Sequence, residues 1–360
     1  MARFHELTIA DVRPETDDAI SVAFELPDDM ADAYKFDAGQ HVTLRADIDG
    51  EDVRRCYSIC SAPTDGELRV AIKKVPDGAF SNFAHESLHV GSRVQVMTPT
   101  GNFRVVPNGS AGKTYVAFAA GSGITPVISI VATVLDAEPD AQVFLFYGNR
   151  NTASVIFRDK IDDLKNCYMG RLSVFHILSS EDQESELLNG RIDAAKVADL
   201  MNAACPTVEV DGYFICGPGT MIPDVIGALK QLDVSDACVH FERFATEEGD
   251  LPIAKDKPTA KVEAAGDEAR VSVVVDGVRS EFAVSVKDGN ILDSAIDDGV
   301  DIPYSCKGGM CTSCRAKVTS GKVDMAVNYG LEPWEVDAGF VLTCQARPLT
   351  DRVELDFDEM

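Results

Sequence analysis

The pattern of apolar and polar positions divides the chain into regions of different periodicity. In residues 1–107 apolar and polar positions alternate, as they do over residues 19–26 and 41–46. This alternation predicts short strands with one buried face. Residues 108–244 instead carry continuous apolar runs, such as residues 114–120, with helical segments between them. Such runs are typical of buried parallel strands, so we predict an antiparallel β-barrel domain followed by an α/β domain with a parallel sheet.

Two further regions complete the chain. Residues 245–268 show no apolar period and are rich in Ala, Glu, Lys, Pro and Gly, which predicts a flexible linker. Beyond it, the apolar runs 271–275 and 282–284 flank Asp276-Gly277, a dipeptide typical of a two-residue β-hairpin turn. A third domain is therefore predicted over residues 269–360.

Four cysteines in this third domain follow the C-x4-C-x2-C spacing, with the fourth cysteine 30 positions after the third. The plant-type ferredoxins bind a 2Fe–2S cluster with this spacing. Gly308 and Gly309 allow the loop to turn so that its backbone amides face the sulfurs. A zinc site or a C-x-x-C redox pair is the alternative, but zinc usually takes pairs of close cysteines. The spacing therefore predicts a 2Fe–2S cluster held by Cys306, Cys311, Cys314 and Cys344.

A short motif in the first domain, Arg55-Cys56-Tyr57-Ser58, has the chemistry of a flavin site. An arginine neutralises a pyrophosphate, a tyrosine ring stacks on the isoalloxazine, and a serine hydrogen-bonds its N5 edge. Downstream, Gly78 and Ser81 open a predicted helix, and a helix N-terminus binds phosphate. Two phosphate-binding devices favour FAD over FMN. The alternative is an ordinary strand edge with Tyr57 in the core.

Turns at the strand ends of the second domain suggest a nucleotide site. Residues 121–126 follow the first strand, and Gly121 and Gly123 would let a dinucleotide pyrophosphate approach the next helix. Thr125 is predicted to be the N-cap of that helix. A second glycine-rich turn, at Cys216-Gly217, lies on the same predicted edge. The alternative is a tight strand-to-helix turn without a ligand.

Two arginines bear on the choice of nucleotide. Arg150 follows the second strand of this domain, and Arg158 is placed about two turns into the next helix. Arginines near a ribose suit a 2′-phosphate, which favours NADPH over NADH. Alternatively, both arginines are solvated at the surface.

The composition narrows the function further. There are 33 Lys and Arg against 59 Asp and Glu, giving a net charge of −26, so nucleic-acid binding is not expected. The acidity suits a basic partner or adaptation to a salty cytoplasm.

No run of about 18 apolar residues and no signal-peptide pattern are present, so we expect a soluble, cytoplasmic protein without a membrane segment. Six further cysteines are scattered as free thiols would be: Cys56, Cys60, Cys167, Cys205, Cys216 and Cys238.

Taken together, these motifs resemble the ferredoxin–NADP reductase superfamily with a plant-type ferredoxin domain at the C-terminus. Within it, the chain resembles the reductase subunits of phenylacetyl-CoA epoxidases. This resemblance implies a β-grasp fold for the third domain, which is of the α+β class. It covers essentially the whole chain and includes residues 54–60, 119–126, 147–150, 187–193, 215–218, 306–309 and 328–333.

The resemblance implies a role for each matching position. It places Ser58 and Cys216 at the catalytic centre, Cys216 near the nicotinamide, and Ser81 on the FAD pyrophosphate. It leaves Cys56 and Cys60 as structural residues. The implied FAD ligands are Arg55, Tyr57, Ser58 and Ser81, with Phe244 over the flavin, and the implied NADPH ligands are Gly121, Thr125, Arg150, Cys216 and Gly217.

The order of the domains suits electron transfer from a two-electron donor to a one-electron acceptor. A reduced nicotinamide gives up two electrons together, whereas a 2Fe–2S cluster accepts one at a time, so FAD must stand between them. We therefore expect electrons to pass from NADPH through FAD and the cluster to an oxygenase component, the subunits of a di-iron epoxidase. A steroid or aromatic-ring hydroxylase is the alternative partner. A flavin and iron–sulfur protein that senses redox state is the alternative from another class.

Overall fold

Three sheets of different construction follow one another along the chain. The first is antiparallel with six strands, the second is parallel with five, and the third is mixed with five and is accompanied by a two-stranded ribbon. The predicted fold class is thereby confirmed for all three domains. The computed structural model describes residues 3–107, 109, 112–205, 209–244, 264, 266–287 and 289–359.

The first sheet has the strand order β4-β3-β6-β1-β2-β5. Its two edge strands meet through a bridge between Ile59 and Val70, which curls the sheet into a barrel around apolar residues such as Leu44. Its elements are β1 (Phe4–Thr16), β2 (Ala19–Glu25), β3 (His41–Ile48), β4 (Glu51–Ser58), β5 (Leu68–Lys73), α1 (Ala79–Ser87) and β6 (Arg93–Met97).

The second sheet has the order β11-β10-β7-β8-β9, and all its strand pairs are parallel. Four of these strands match the apolar runs of the sequence. The fifth, β11, was not predicted, because it is a half-buried edge strand with charged residues. The elements are β7 (Thr114–Ala120), α2 (Ile124–Ala137), β8 (Gln142–Asn149), α3 (Arg158–Cys167), β9 (Leu172–Leu178), α4 (Ala194–Ala204), β10 (Gly212–Gly217), α5 (Met221–Gln231) and β11 (Val239–Arg243).

The third sheet has the order β13-β12-β18-β14-β16, with β12 and β18 parallel. The predicted hairpin turn is confirmed, since Asp276 and Gly277 both have positive φ, 53° and 72°, as a two-residue turn of this kind requires. The elements are β12 (Glu268–Val275), β13 (Val278–Ser285), α6 (Ile291–Asp297), β14 (Arg315–Ser320), β15 (Val323–Met325), α7 (Pro333–Asp337), β16 (Phe340–Leu342), β17 (Ala346–Pro348) and β18 (Arg352–Asp356).

The first two domains pack closely through α2. The Ser129 hydroxyl of α2 donates to the carbonyl of Ser61, 2.6 Å away. Gly39 approaches the same helix so closely that an added Cβ would lie 3.0 Å from the Cδ1 of Ile130. Most of the predicted linker, residues 245–263 and 265, lies outside the described residues. In the part of the chain that the structure describes, no helix has the length and apolarity needed to cross a bilayer.

Candidate functional site: a flavin, nucleotide and iron–sulfur centre

A polar cluster forms where the barrel meets the carboxyl ends of two parallel strands. The hydroxyl of Ser58, the last residue of β4, donates to Oε2 of Glu242 at 2.9 Å. The Nδ1 of His41 lies 3.6 Å from the other carboxylate oxygen of Glu242. Cys216 on β10 pairs in register with Glu242 on β11. The fold therefore brings Ser58 and Cys216, predicted at the catalytic centre, to the same carboxylate.

Burial sets the protonation state of this cluster. Burial first, and then the negative charge of Glu242, raises the pKa of the Cys216 thiol well above its ordinary value. Cys216 is completely buried, so it stays a neutral thiol at physiological pH. It can line a cofactor pocket without adding charge there.

Glu242 and His41 were not predicted as site residues. His41 is buried, and neither ring nitrogen has a hydrogen-bond partner. The alternation of residues 239–243, which puts His240 and Glu242 on one strand face, was the available signal for Glu242. No signal in the sequence places His41 beside it, because 201 positions separate the two residues.

The glycine-rich turn after β7 packs directly on the end of β10. A Cβ added to Gly123 would lie 2.1 Å from the carbonyl oxygen of Cys216, and one added to Gly217 would lie 2.6 Å from the Cε of Met221. Gly121 has a φ of +53°. The backbone at Cys216 excludes a side chain at position 123, and this close approach leaves a cradle lined by backbone at the start of the 14-residue helix α2. Such a cradle fits a dinucleotide pyrophosphate.

The prediction that Thr125 is the N-cap of this helix is wrong. A short 3-10 turn over Gly121–Gly123 comes first, and α2 begins at Ile124. Thr125 therefore lies inside the first turn, where its hydroxyl donates to the carbonyl of Ser122 at 3.0 Å. It stabilises the turn after β7 rather than capping the helix.

The flavin motif lies on β4 beside α1. The rings of Tyr57 and Phe80 have their centroids 5.7 Å apart, and Tyr57 is partly buried against the apolar core of the barrel, as the alternative interpretation expected. Arg55 is exposed, and its guanidinium donates to the carbonyl of Arg54. Phe244 follows β11 and is partly buried against the apolar core shared by the first two domains. These positions fit a flavin between the two domains.

Ser81 uses its hydroxyl within its own loop. The oxygen accepts from the backbone N–H of Val75 at 3.1 Å and donates to the carbonyl of Gly78 at 3.3 Å. A Cβ added to Gly78 would lie 2.7 Å from this oxygen, so a larger residue there would displace the Ser81 hydroxyl. The first-turn amides of α1 have no partner within the helix, and groups of this kind suit a phosphate.

The two predicted nucleotide arginines lie in different surroundings. Arg150 is exposed and its Nη2 is 3.4 Å from Oδ2 of Asp18. Arg158 is the first residue of α3 and does not lie two turns inside it; the left-handed φ of Phe157, 60°, delays the helix start. Hydrogen bonds from Thr152, and then the charge of Arg158, lower the pKa of Glu181. A carboxylate therefore accompanies these arginines.

The four cysteines of the third domain meet as two pairs. Cys306 interacts with Cys311, and Cys314 with Cys344. The backbone N–H groups of Gly308 and Cys311 donate to the sulfur of Cys306, at 3.3 and 3.4 Å. Two thiol pairs match a cluster in which each of two irons takes two cysteines, and amides directed at sulfur match the predicted loop.

The protonation of these thiols couples cluster binding to proton release. The neighbouring thiol and then burial raise the pKa of Cys306, by contact with Cys311, and of Cys314, by contact with Cys344. Cluster ligands are thiolates, so assembly has to displace these protons. The donor set and its surroundings fit a 2Fe–2S cluster.

Comparison with known families agrees with this geometry. The oxidoreductase FAD-binding domain matches residues 6–105, the oxidoreductase NAD-binding domain matches residues 118–226, and the 2Fe-2S iron-sulfur cluster binding domain matches residues 273–349. The chain therefore combines an FAD site, a pyridine-nucleotide site and a 2Fe–2S site.

Full-length relatives and a solved structure extend the comparison. The chain is 45% identical over 358 residues to a subunit of the 1,2-phenylacetyl-CoA epoxidase of Escherichia coli (strain K12), covering 99% of each chain. It is 39% identical over 363 residues to the 3-ketosteroid-9-alpha-monooxygenase ferredoxin reductase component of Mycobacterium tuberculosis (strain ATCC 25618 / H37Rv), covering 98% of this chain and 96% of the other. Phthalate dioxygenase reductase shares the fold, with a TM-score of 0.58, 21% identity and 98% of each chain covered.

The fold and the site define an NAD(P)H-dependent flavin and iron–sulfur reductase. The chain belongs to the family of oxygenase reductase components that includes this phenylacetyl-CoA epoxidase subunit and the 3-ketosteroid-9-alpha-monooxygenase reductase. Its partner is accordingly an oxygenase component, and the sensor alternative is not supported.

Proposed function

We propose that this chain is the NADPH-dependent reductase of the ring 1,2-phenylacetyl-CoA epoxidase and delivers electrons to its di-iron oxygenase subunits. The supporting observation is the 45% identity, over 99% of both chains, with a subunit of that epoxidase. Full-length identity to the ketosteroid reductase is lower, at 39%. That second relative keeps the reductase of a steroid hydroxylase as the alternative function. None of the ten cysteines forms a disulfide, which supports the reducing cytoplasm as its compartment.

The residues of the chain bind and orient the cofactors. When bound, FAD takes two electrons from the nicotinamide and the iron–sulfur cluster passes them on singly. The cradle formed by Gly123 and Gly217 would hold the nucleotide pyrophosphate. Glu242 fixes the hydroxyl of Ser58, and the neutral thiol of Cys216 closes the pocket without adding charge. Preorganised positions of this kind lower the barrier through alignment.

The preference for NADPH rests on Arg150 and Arg158, which would pair with the 2′-phosphate. Arg150 is 69% exposed and has one long ion pair, so it is available to a phosphate. Glu181 opposes this preference, because its carboxylate is held ionised near Arg158. We expect Glu181→Gln to raise the ratio of kcat/KM for NADPH over NADH by roughly threefold, and Arg150→Ala to lower it by roughly tenfold. If both variants kept the wild-type ratio, Arg150 and Glu181 would have no part in the choice between NADPH and NADH.

The test of the proposed function is reconstitution. The purified chain, loaded with FAD and cluster, is mixed with epoxidase oxygenase subunits, and epoxide formation from phenylacetyl-CoA is followed with NADPH. A parallel mixture contains a ketosteroid hydroxylase oxygenase and its steroid. Turnover in the first mixture alone supports the proposal. Turnover in the second alone assigns the chain to steroid hydroxylation.

A further inference from the structure

Strand β4 presents two faces with different neighbours. Tyr57 lies on one face, beside Phe80 of α1. Arg54, Cys56 and Ser58 share the other face, since alternate residues of a strand point the same way. We call these three residues the outer row. Its Ser58 end contacts Glu242 of the nucleotide domain, whereas its other end contacts the ferredoxin domain.

Arg54 joins the barrel to the ferredoxin domain. Its side chain is only 5% exposed. The guanidinium lies between two rings, 5.3 Å from the centroid of Phe4 and 4.0 Å from that of Tyr304. Asp52 holds it in this orientation with two hydrogen bonds, of 3.1 and 2.9 Å. A desolvated guanidinium stacked on a ring is a strong and directional contact.

Cys56 touches the cluster loop itself. Its sulfur lies 2.9 Å from the hydroxyl of Ser305, the neighbour in sequence of the cluster ligand Cys306. It also interacts with the thiol of Cys311, another cluster ligand. Along a strand, Cys56 and Ser58 are about 7 Å apart. The outer row therefore connects Ser58, which contacts Glu242, with the ligands of the iron–sulfur cluster over one short stretch of backbone.

A second group of contacts holds the other side of the ferredoxin domain. Asn102 of the first domain donates to Oε2 of Glu335 at 2.8 Å and to the carbonyl of Gly330 at 3.1 Å. Arg243, next to Glu242, stacks on the ring of Tyr329 at 4.6 Å. These contacts are polar or of the cation–π type, as in interfaces between domains that separate and rejoin.

We propose that Arg54 and Cys56 are positioning residues that hold the cluster loop of the ferredoxin domain on the flavin-binding strand. The inference rests on the proposed electron path, which it makes specific. Arg54 fixes the domain through Tyr304, and Cys56 fixes the loop through Ser305. The same strand then serves the flavin through Tyr57 and Ser58, and the cluster through Arg54 and Cys56, which precede them.

Cross-linking tests the position in the loaded, full-length protein. In S305C, the new thiol faces Cys56, and mild oxidation should form a disulfide between them, detected by peptide mass mapping. S320C places a thiol at an exposed site in β14 and serves as the control for chance encounters. We expect S305C to cross-link to Cys56 at least tenfold faster than S320C does. Equal rates would overturn the proposed position.

Transfer kinetics test the positioning role. In Y304A the ring that stacks on Arg54 is lost, whereas Y304F keeps it. With NADPH in anaerobic stopped flow, we expect flavin bleaching to be unchanged in both, and cluster reduction to be roughly tenfold slower in Y304A only. C56A should slow cluster reduction as well. The EPR spectrum of the chemically reduced cluster should remain that of the wild type in every variant.

The outcomes separate two failures. If the nicotinamide does not bleach the flavin in the wild type, the proposed function fails. If bleaching is normal but Y304A and C56A reduce the cluster at the wild-type rate, the positioning role fails and the proposed function stands. If Y304A alters the EPR spectrum, slow cluster reduction in that variant does not count. The positioning role then stands or fails on the cluster reduction of C56A and on the cross-linking rates.

Discussion

The flavin-binding domain contacts its two neighbours in opposite ways. With the nucleotide domain it shares one apolar core, in which Ala38 and Ala71 of the first domain join Val127 and Ile130 of α2. Among the described residues, the apolar core of the ferredoxin domain consists only of its own residues, from Val271 to Phe357. Its contacts to the barrel described above are polar or cation–π. Merged cores stay together because separation would expose apolar surface, whereas polar contacts are readily exchanged for water.

The largest effect should follow loss of a cluster ligand. Cys344→Ser removes one of four thiolates, so we expect loss of the 2Fe–2S absorbance and EPR signal and no electron delivery to the oxygenase. Flavin bleaching by NADPH should remain at the wild-type rate, because the first two domains have their own shared core. Loss of flavin bleaching in this variant would show that the three domains depend on one another.

Gly123→Ala should come next, because the turn after β7 has no room to adjust where it packs on the end of β10. The added Cβ would meet the carbonyl oxygen of Cys216 at 2.1 Å. Displacing the nucleotide cradle should slow flavin bleaching by roughly 100-fold. The matched control is Gly227→Ala on α5, where a Cβ meets nothing within 4 Å. A wild-type rate for Gly123→Ala would argue against a rigid cradle.

A smaller effect is expected for Glu242→Ala, which removes the acceptor for Ser58. We expect flavin bleaching to slow by about tenfold, with exposed Glu86→Ala as the control. The pKa of Cys216 should also fall, because the Glu242 carboxylate contributes to raising it. Infrared spectroscopy of the S–H stretch should then show this thiol losing its proton at a lower pH than in the wild type. An unchanged pH profile would mean that burial alone sets this pKa.

The smallest effect should come from salt. Arg3 and Asp276 form an exposed 2.7 Å ion pair between the barrel and the ferredoxin domain, and added salt screens such pairs. At saturating NADPH, raising NaCl should slow cluster reduction by roughly two- to threefold and leave flavin bleaching unchanged. Arg3→Gln should reduce this dependence. Equal salt sensitivity of both steps would contradict the distinction between the two interfaces.

Much of the fold was readable because its signals are local. Continuous apolar runs marked four strands of the parallel sheet, and Asp276-Gly277 marked the hairpin. Strand β11 was not predicted, because an edge strand with charged residues lacks the apolar run of its neighbours. Thr125 was misplaced because a 3-10 turn precedes α2, a choice made by the packing of Gly123 on β10 rather than by helix propensity.

The sequence predicted site residues only where they belong to one short motif or to a characteristic spacing. The cysteine spacing carries its meaning in sequence, since the geometry of a cluster demands it. His41 and Glu242 meet only in the folded chain. Cys56 was expected to be structural, yet its sulfur faces Ser305 across a domain boundary. Cys60 agrees with that expectation, since it is buried and its thiol donates to the carbonyl of Arg69. Contacts between domains leave no periodic trace in either partner.

The contact between Asn102 and Glu335 also provides an optical reporter. Trp334, the one tryptophan of the chain, precedes Glu335 on α7 and is 63% exposed. When the ferredoxin domain leaves the barrel, Asn102 stays behind and water takes its place beside Glu335, the residue that follows this indole in the chain. The native protein should therefore change its tryptophan emission on domain opening. Stopped-flow fluorescence can time each opening and closing without a label, in the same experiment that follows the absorbance of the flavin.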